Sequence, residues 1–420
     1  MSSFGEVLAP RRLGISFRWL LASTWTSNIG DGIALSAAPL LIASVTSSPL
    51  LVASGAMMQI LPWLLFGLLA GSIADHHDRR RLVMLANGVR AVIVLGLVTV
   101  LVTGQVSIWV VLVSAFLYGT AEVFADTAGS TLLPMTVPSA DLGVGNARMQ
   151  AGYLVANQLV GPPLGAFLFA VGSFWPFTVQ ILCVSLAVVL VSRMARTPPP
   201  QQDVTALDDG IRPRPIREGL SWLRGNAPVR TLILIILIFN VTWAAPWYVL
   251  VLYATEYLGL SAVGYGLLAT SAALGGLVGI SCFGWLERRF RLATMMRVCL
   301  SLEVVMHLSF ALTTSAALAF VIMFGFGVYA FMWGTISTTV RQRLVPLSLQ
   351  GRIASVNMVG VFGGLVIGQL LGGLIAQVWG LTGPWWFAFA GSAITLALLW
   401  KAISNISAAP PALESEAPAG

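Results

Sequence analysis

Twelve apolar runs, each long enough to cross a bilayer as a helix, divide this 420-residue chain. A helix needs about 20 residues to span the hydrocarbon. The runs lie at 18–43, 49–74, 82–103, 107–127, 147–171, 174–194, 229–257, 262–286, 294–314, 316–340, 353–378 and 382–403. They are numbered helix 1 to helix 12 below. Composition agrees, since 57% of residues are hydrophobic and only 9% charged, with a mean hydropathy of +0.87. A soluble domain carries about 25% charged residues. The expected fold class is an all-α membrane protein of twelve transmembrane helices.

The basic residues test that count independently. Of the 23 Lys and Arg, 22 fall on one side of the predicted topology. Arg11, Arg12 and Arg18 precede or open helix 1, Arg79 to Arg81 stand between helices 2 and 3, and Arg148 opens helix 5. Seven surround the central polar segment, four lie between helices 8 and 9, Arg341, Arg343 and Arg352 lie between helices 10 and 11, and Lys401 ends helix 12. The exception is Arg90, inside helix 3. None falls in the six loops of the opposite side. The positive-inside rule then places both termini in the cytoplasm, giving a multi-pass protein of the cell inner (plasma) membrane. No cleavable signal pattern is read at the N-terminus. Anionic headgroups suffice to explain the net charge of +7, so the lipid bilayer is an expected partner and nucleic acid is not. Cys183, Cys282 and Cys299 lack metal-type spacing, and neither a metal nor a cofactor is expected.

The polar segment 195–228 divides the chain into two bundles of six helices, 18–194 and 229–403, between tails 1–17 and 404–420. Ile216 to Leu223 has the pattern of a short amphipathic helix. The bundles repeat each other at a spacing of about 207 to 212 residues. Asn28 corresponds to Asn240, Asp75 to Glu287, Gly119 to Gly327, Pro138 to Pro346, and Gly161 and Gly165 to Gly368 and Gly372. Parallel six-helix repeats are a transporter architecture, with the substrate site near the midplane between the halves.

Between helices 2 and 3 stands Gly71-Ser-Ile-Ala-Asp75-His-His-Asp-Arg79-Arg80-Arg81. This resembles the cytoplasmic loop signature of the major facilitator superfamily, with His76 and Asp78 departing from it. The resemblance implies that Gly71, Asp75, Arg79 and Arg80, with Arg352 after helix 10, serve a cytoplasmic gate. The other reading of the arginines is that they only fix topology. Helix 5 carries Asn157-Gln-Leu-Val-Gly161-Pro162-Pro163-Leu-Gly165-Ala166, which resembles the antiporter motif of that superfamily's exporters. Asn157 and Ala166 stand where glycine is usual. Small residues four apart also allow plain close packing of helices, and Pro162 removes a backbone donor. Gln342-Arg343-Leu-Val-Pro346, with Gly351-Arg352, resembles the branch that includes enterobactin and macrolide efflux proteins. The resemblance spans about residues 15–403 and implies the major facilitator fold.

Charged residues inside the membrane cost about 2.5–3.5 kcal/mol on insertion scales. Asp31 lies near the middle of helix 1, beside Ser27 and Asn28. A carboxylate withdrawn from bulk water takes up a proton more readily, so Asp31 is expected to couple proton movement; a structural hydrogen bond is the alternative. Arg90 and Glu122, on adjacent antiparallel helices, are read as natural partners and as the supporting network. Glu303 and His307, four apart in helix 9, are read as bonding each other. Asp31 corresponds through the repeat to Trp243. With Asn28, Asn240, Trp247, Tyr329 and Trp333, Trp243 is expected to line the substrate cavity, an aromatic wall suited to a large amphipathic or cationic solute; lipid-facing tryptophan is the competing reading.

No nucleotide-binding loop and no nucleophile–base constellation occurs, so neither ATP use nor an enzyme is expected. The expected function is secondary active transport, as a monomer: export of amphipathic small molecules such as drugs, antibiotics or siderophores in exchange for protons, by alternating access. A proton-coupled nutrient uptake carrier and a non-transporting receptor or scaffold on the same fold are the alternatives.

Overall fold

The structure is a computed structural model that describes residues 11–138, 141–195, 214–346 and 349–408. The first ten residues of the N-terminal tail, linker residues 196–213 and the C-terminal tail from 409 lie outside the described residues. Twelve helices are long and apolar enough to cross a membrane: Gly14–Val45, Pro49–His76, Arg79–Val102, Ile108–Thr136, Leu142–Val171, Trp175–Ser192, Ala227–Tyr257, Ala262–Arg289, Leu292–Leu312, Ala316–Leu344, Gln350–Trp379 and Gly383–Ile403. These are helices 1 to 12. No strand occurs among the described residues.

Local chemistry sets the helix ends. Asp78, Ser107, Asn226 and Ser315 cap helices 3, 4, 7 and 10, each side chain accepting from a backbone N–H of the first turn. Past the end of helix 3, Gly104 adopts a left-handed φ of 71°, the conformation that glycine supplies at no steric cost. Within helix 3 the polarity is inverted relative to a water-soluble protein. Leu85 and Val92 are 67% and 69% exposed, while Asn87 and Arg90 are buried. Lipid is the solvent that rewards that arrangement.

Two compact units form: Met1–Gln202 with Ala254–Thr270, and Asp203–Tyr253 with Ser271–Gly420. In the first, helix 1 packs on helices 5 and 6, helix 2 on helix 4, and helix 3 on helices 4 and 6. In the second, helix 7 packs on helices 11 and 12, helix 8 on helix 10, and helix 9 on helices 10 and 12. Glycine makes the closest crossings in both. A Cβ on Gly165 would stand 2.1 Å from the Ile33 carbonyl oxygen of helix 1, and one on Gly372 would stand 1.9 Å from that of Ala245 in helix 7. Gly119 and Gly327 do the same between helices 2 and 4 and between helices 8 and 10.

Basic side chains fasten helix ends inside each unit. The Arg80 guanidinium donates to the carbonyls of Val191 and Ser192 at the end of helix 6, and Arg297 of helix 9 donates to the Trp400 carbonyl of helix 12. The Arg80 cation complements the partial negative charge of the helix 6 C-terminus. A linker helix, Arg214–Gly225, lies on helix 11, where Gly219 meets the Arg352 carbonyl and the Val356 side chain.

Candidate functional site

Four helices of the first unit converge on one buried polar network. Asp31 of helix 1 is 20% exposed and Arg90 of helix 3 only 1%. They form an ion pair in which the guanidinium donates directly to the carboxylate. Tyr118 of helix 4 donates to the same carboxylate oxygen at 2.7 Å, and its hydroxyl accepts from Arg90 and, at 2.8 Å, from Gln180 of helix 6. Asn87, one turn before Arg90, accepts from its Nη1 at 2.8 Å. Ser27 donates to the second Asp31 oxygen at 3.2 Å. The guanidinium also lies 4.6 Å over the Tyr118 ring, within cation–π range. A buried charge is tolerable when paired and hydrogen-bonded, and here both charges are.

The pairing differs from the sequence expectation, which matched Arg90 with Glu122. At the level of Arg90, helix 4 presents Tyr118; Glu122 lies one turn further along and is reached by Gln59 of helix 2 at 3.4 Å. Asp126, another turn on, is exposed. Three carboxylates and one guanidinium therefore share this region, with the guanidinium committed to Asp31.

Helix 5 passes beside the network with an irregular backbone. Its segment Tyr153–Val160 is π-helical, ending directly before Gly161 and Pro162. Pro162 and Pro163 each remove an intrahelical donor, and Thr270 donates to the Leu159 carbonyl, four residues before Pro163, at 3.3 Å, while Ser36 donates to the Pro162 carbonyl at 2.6 Å. Gly32, next to Asp31, is in contact with this stretch, since a Cβ on it would stand 2.5 Å from the Asn157 carbonyl oxygen. The motif Gly161, Pro162, Gly165 thus forms the close crossing of helix 5 on helix 1. In helix 11 the same glycine frame runs through an unbroken α-helix.

In the second unit, aromatic rings gather instead of charges. Trp243 and Trp247 stack at 4.8 Å, Phe326 of helix 10 lies 4.9 Å from Trp247, and Tyr329 meets Phe326 edge-on at 5.6 Å. Trp333 is half-buried outside this stack. Asn28 and Asn240, the matched pair of the repeat, behave alike: each donates to the carbonyl four residues earlier, at 2.8 and 2.6 Å.

Of the expected gate residues, Asp75 is 67% exposed and pairs with Arg79 at 3.2 Å. Its counterpart Glu287 pairs with Arg343 at 3.3 Å. Arg80 serves helix 6 as described, a Cβ at Gly71 would meet nothing within 4 Å, and Arg352 opens helix 11. Glu303 and His307 are both buried but do not bond each other; the His307 Nδ1 lies 3.4 Å from the Ser392 hydroxyl. Sequence reasoning missed Tyr118, Gln180, Asn87 and Phe326. Gln180 and Asn87 were findable as isolated amides in apolar runs, and Asn87 stands one turn from Arg90.

The profile of the family described as transmembrane secretion effector matches residues 6–418. The chain is 28% identical to a multidrug efflux pump, Tap, of Mycolicibacterium fortuitum, over 86% of this chain and 89% of that protein. It is 24% identical to macrolide efflux protein A of Streptococcus pyogenes, again over 86% and 89%. Among solved structures, a nucleoside transporter superposes with a TM-score of 0.76 at 9% identity, covering 93% of this chain and 100% of that one. A D-xylose–proton symporter gives 0.72 at 13% identity, covering 94% and 99%. At such identities these structures speak for the fold alone.

Proposed function

The chain belongs to the transmembrane secretion effector family of the major facilitator superfamily, and from that premise we propose that it exports amphipathic small molecules in exchange for protons. In this reading Asp31 carries the coupling proton. The single observation that supports it is the buried ion pair of Asp31 with Arg90, cross-braced by Tyr118. A proton on Asp31 cancels the charge that holds the guanidinium. The Arg90 side chain is then left with Tyr118 and Asn87 as neutral partners and with Glu122 as the next carboxylate. Two arrangements of one buried cation are what a two-state carrier needs, because a ligand shifts an equilibrium only through its differential interaction with the two states.

The names of the efflux relatives support solutes of drug or macrolide type. The stacked Trp243, Trp247 and Phe326 offer a flat apolar surface for such a solute. Asn28, Asn240, Tyr329 and Trp333 are assigned to the same solute path. Asp75, Arg79 and Arg80, with Gly71 and Arg352, act in the cytoplasmic gate. Both termini face the cytoplasm, the bundles 18–194 and 229–403 are the moving bodies, and the protein works as a monomer.

Everted membrane vesicles test the direction and the coupling. With an acid interior they are expected to accumulate a fluorescent amphipathic dye, and a protonophore is expected to release it. Accumulation only in right-side-out vesicles would support nutrient uptake instead. Equal dye levels with and without the protein would leave a receptor or scaffold.

A further inference from the structure

The second unit buries a carboxylate that the transport reading does not use. Glu303 of helix 9 is 8% exposed, with Cys299 one turn before it and His307 one turn after it. Among the described residues its carboxylate has neither an ion-pair nor a hydrogen-bond partner. Tyr329 of helix 10 and Cys299 lie within electrostatic reach of it. His307 is fully buried, touches Ser392 of helix 12 through Nδ1, and has no hydrogen-bond partner at Nε2. The buried Tyr329 hydroxyl also has none. From helix 7 the buried Tyr253 hydroxyl reaches helix 9, where the Phe310 carbonyl accepts from it at 2.6 Å. The cations of helices 9 and 12 lie at their far ends, Arg297 on the Trp400 carbonyl and Lys401 exposed.

A polar group kept only for packing has its hydrogen bonds satisfied locally, as Ser392 does by donating to the Ala388 carbonyl at 2.6 Å. Here two buried groups on two helices, the His307 Nε2 and the Tyr329 hydroxyl, keep unused capacity beside Glu303, at a cost of about 1–3 kcal/mol for each unsatisfied group. A carboxyl without a counter-ion in this setting is carried at least cost with a proton on it. Its place in the repeat is informative. Displaced by the 212 residues that relate Asn28 to Asn240, Arg90 falls on the residue before Glu303. Where the first unit sets a cation with partners on helices 1 and 4, the second sets an acid with none.

We propose that Glu303 is a second proton-binding site, which takes up and releases one proton per transport cycle beside His307 and Tyr329. This rests on the proton-coupled reading above.

Infrared difference spectra of the purified full-length protein between acid and alkaline buffer test it, because each carboxyl that gains or loses a proton contributes a C=O band. Wild type is expected to show separate bands that vanish in Asp31→Asn and in Glu303→Gln. If Glu303→Gln removes no band, the second site is overturned and the Asp31 assignment stands. If Asp31→Asn removes none, the Asp31 assignment falls and the second site stands. In vesicles, Glu303→Gln is expected to halve the protons moved per dye molecule, read from the gradient at which net dye flux reverses; an unchanged ratio overturns the role in the cycle. Should Glu303→Gln fail to fold, Tyr329→Phe decides. It keeps the carboxyl and is expected to move the pH at which the Glu303 band appears, and an unmoved band overturns the proposal.

Discussion

The two units share a backbone plan and differ in what they bury. Helix 5 crosses helix 1, and helix 11 crosses helix 7, over glycines that leave no room for a Cβ. Inside that common frame the first unit holds Asp31, Arg90, Tyr118 and Gln180 in one bonded network. The second holds a stack of Trp243, Trp247 and Phe326, and a carboxylate, Glu303, that stands alone. Duplication preserved what the close crossings require, while the buried side chains separated into charged and aromatic sets. Packing is therefore the symmetric property of this protein and charge the asymmetric one.

Breaking the charged network gives the largest expected effect. Arg90→Ala leaves the part-buried Asp31 carboxylate without its cation; breaking a fully buried pair costs about 3–5 kcal/mol, which is the upper bound on the loss, read as thermal unfolding in detergent. Glu303→Gln deprives no ion partner and is expected to lose far less. The comparison breaks if the two losses are equal.

The shared frame makes the next prediction symmetric. Gly165→Ala and Gly372→Ala each force a Cβ against a backbone carbonyl oxygen, and overpacking of that kind costs about 1–3 kcal/mol. Similar losses in the two variants sharpen the claim that packing is symmetric, and a large difference breaks it.

A smaller effect belongs to the aromatic stack. Trp247→Leu keeps apolar volume but ends the ring stacking, worth about 0.5–1.5 kcal/mol. The expected result is a several-fold weaker half-saturation for an aromatic dye with proton release unchanged. The smallest effect on stability is at the exposed loop. Asp75→Asn removes a surface ion pair worth no more than about 1 kcal/mol, so unfolding should barely move while transport falls if the acid serves the gate.

Much of this architecture was legible in the residues. Apolar runs and the arginine distribution supplied the twelve helices, and single glycines and asparagines at one spacing supplied the repeat. Helix ends were less legible. Helix 4 was expected to stop at 127 and continues to Thr136, and helix 1 begins at Gly14 rather than 18, because an apolar run marks the hydrocarbon and not the hydrogen-bonded helix. The π-helical segment of helix 5 left no compositional trace. The partner of Arg90 was also beyond reach. Depth along a helix can be counted at about 1.5 Å per residue, which set Arg90 near Glu122, one turn from its level at Tyr118, and rotation about the helix axis decides which side chain meets it. Helix 3 turns Arg90 toward helix 1 and toward Tyr118.

The assignment of coupling to the first unit is tested most directly by Asp31→Asn in everted vesicles under an imposed proton gradient. The variant is expected to bind and move the dye but to accumulate it far less than wild type, since the aromatic stack is untouched while the charge that responds to the proton in the first unit is gone and only the Glu303 share of the coupling is left. Accumulation at the wild-type level would contradict the assignment and move the coupling proton elsewhere in the protein.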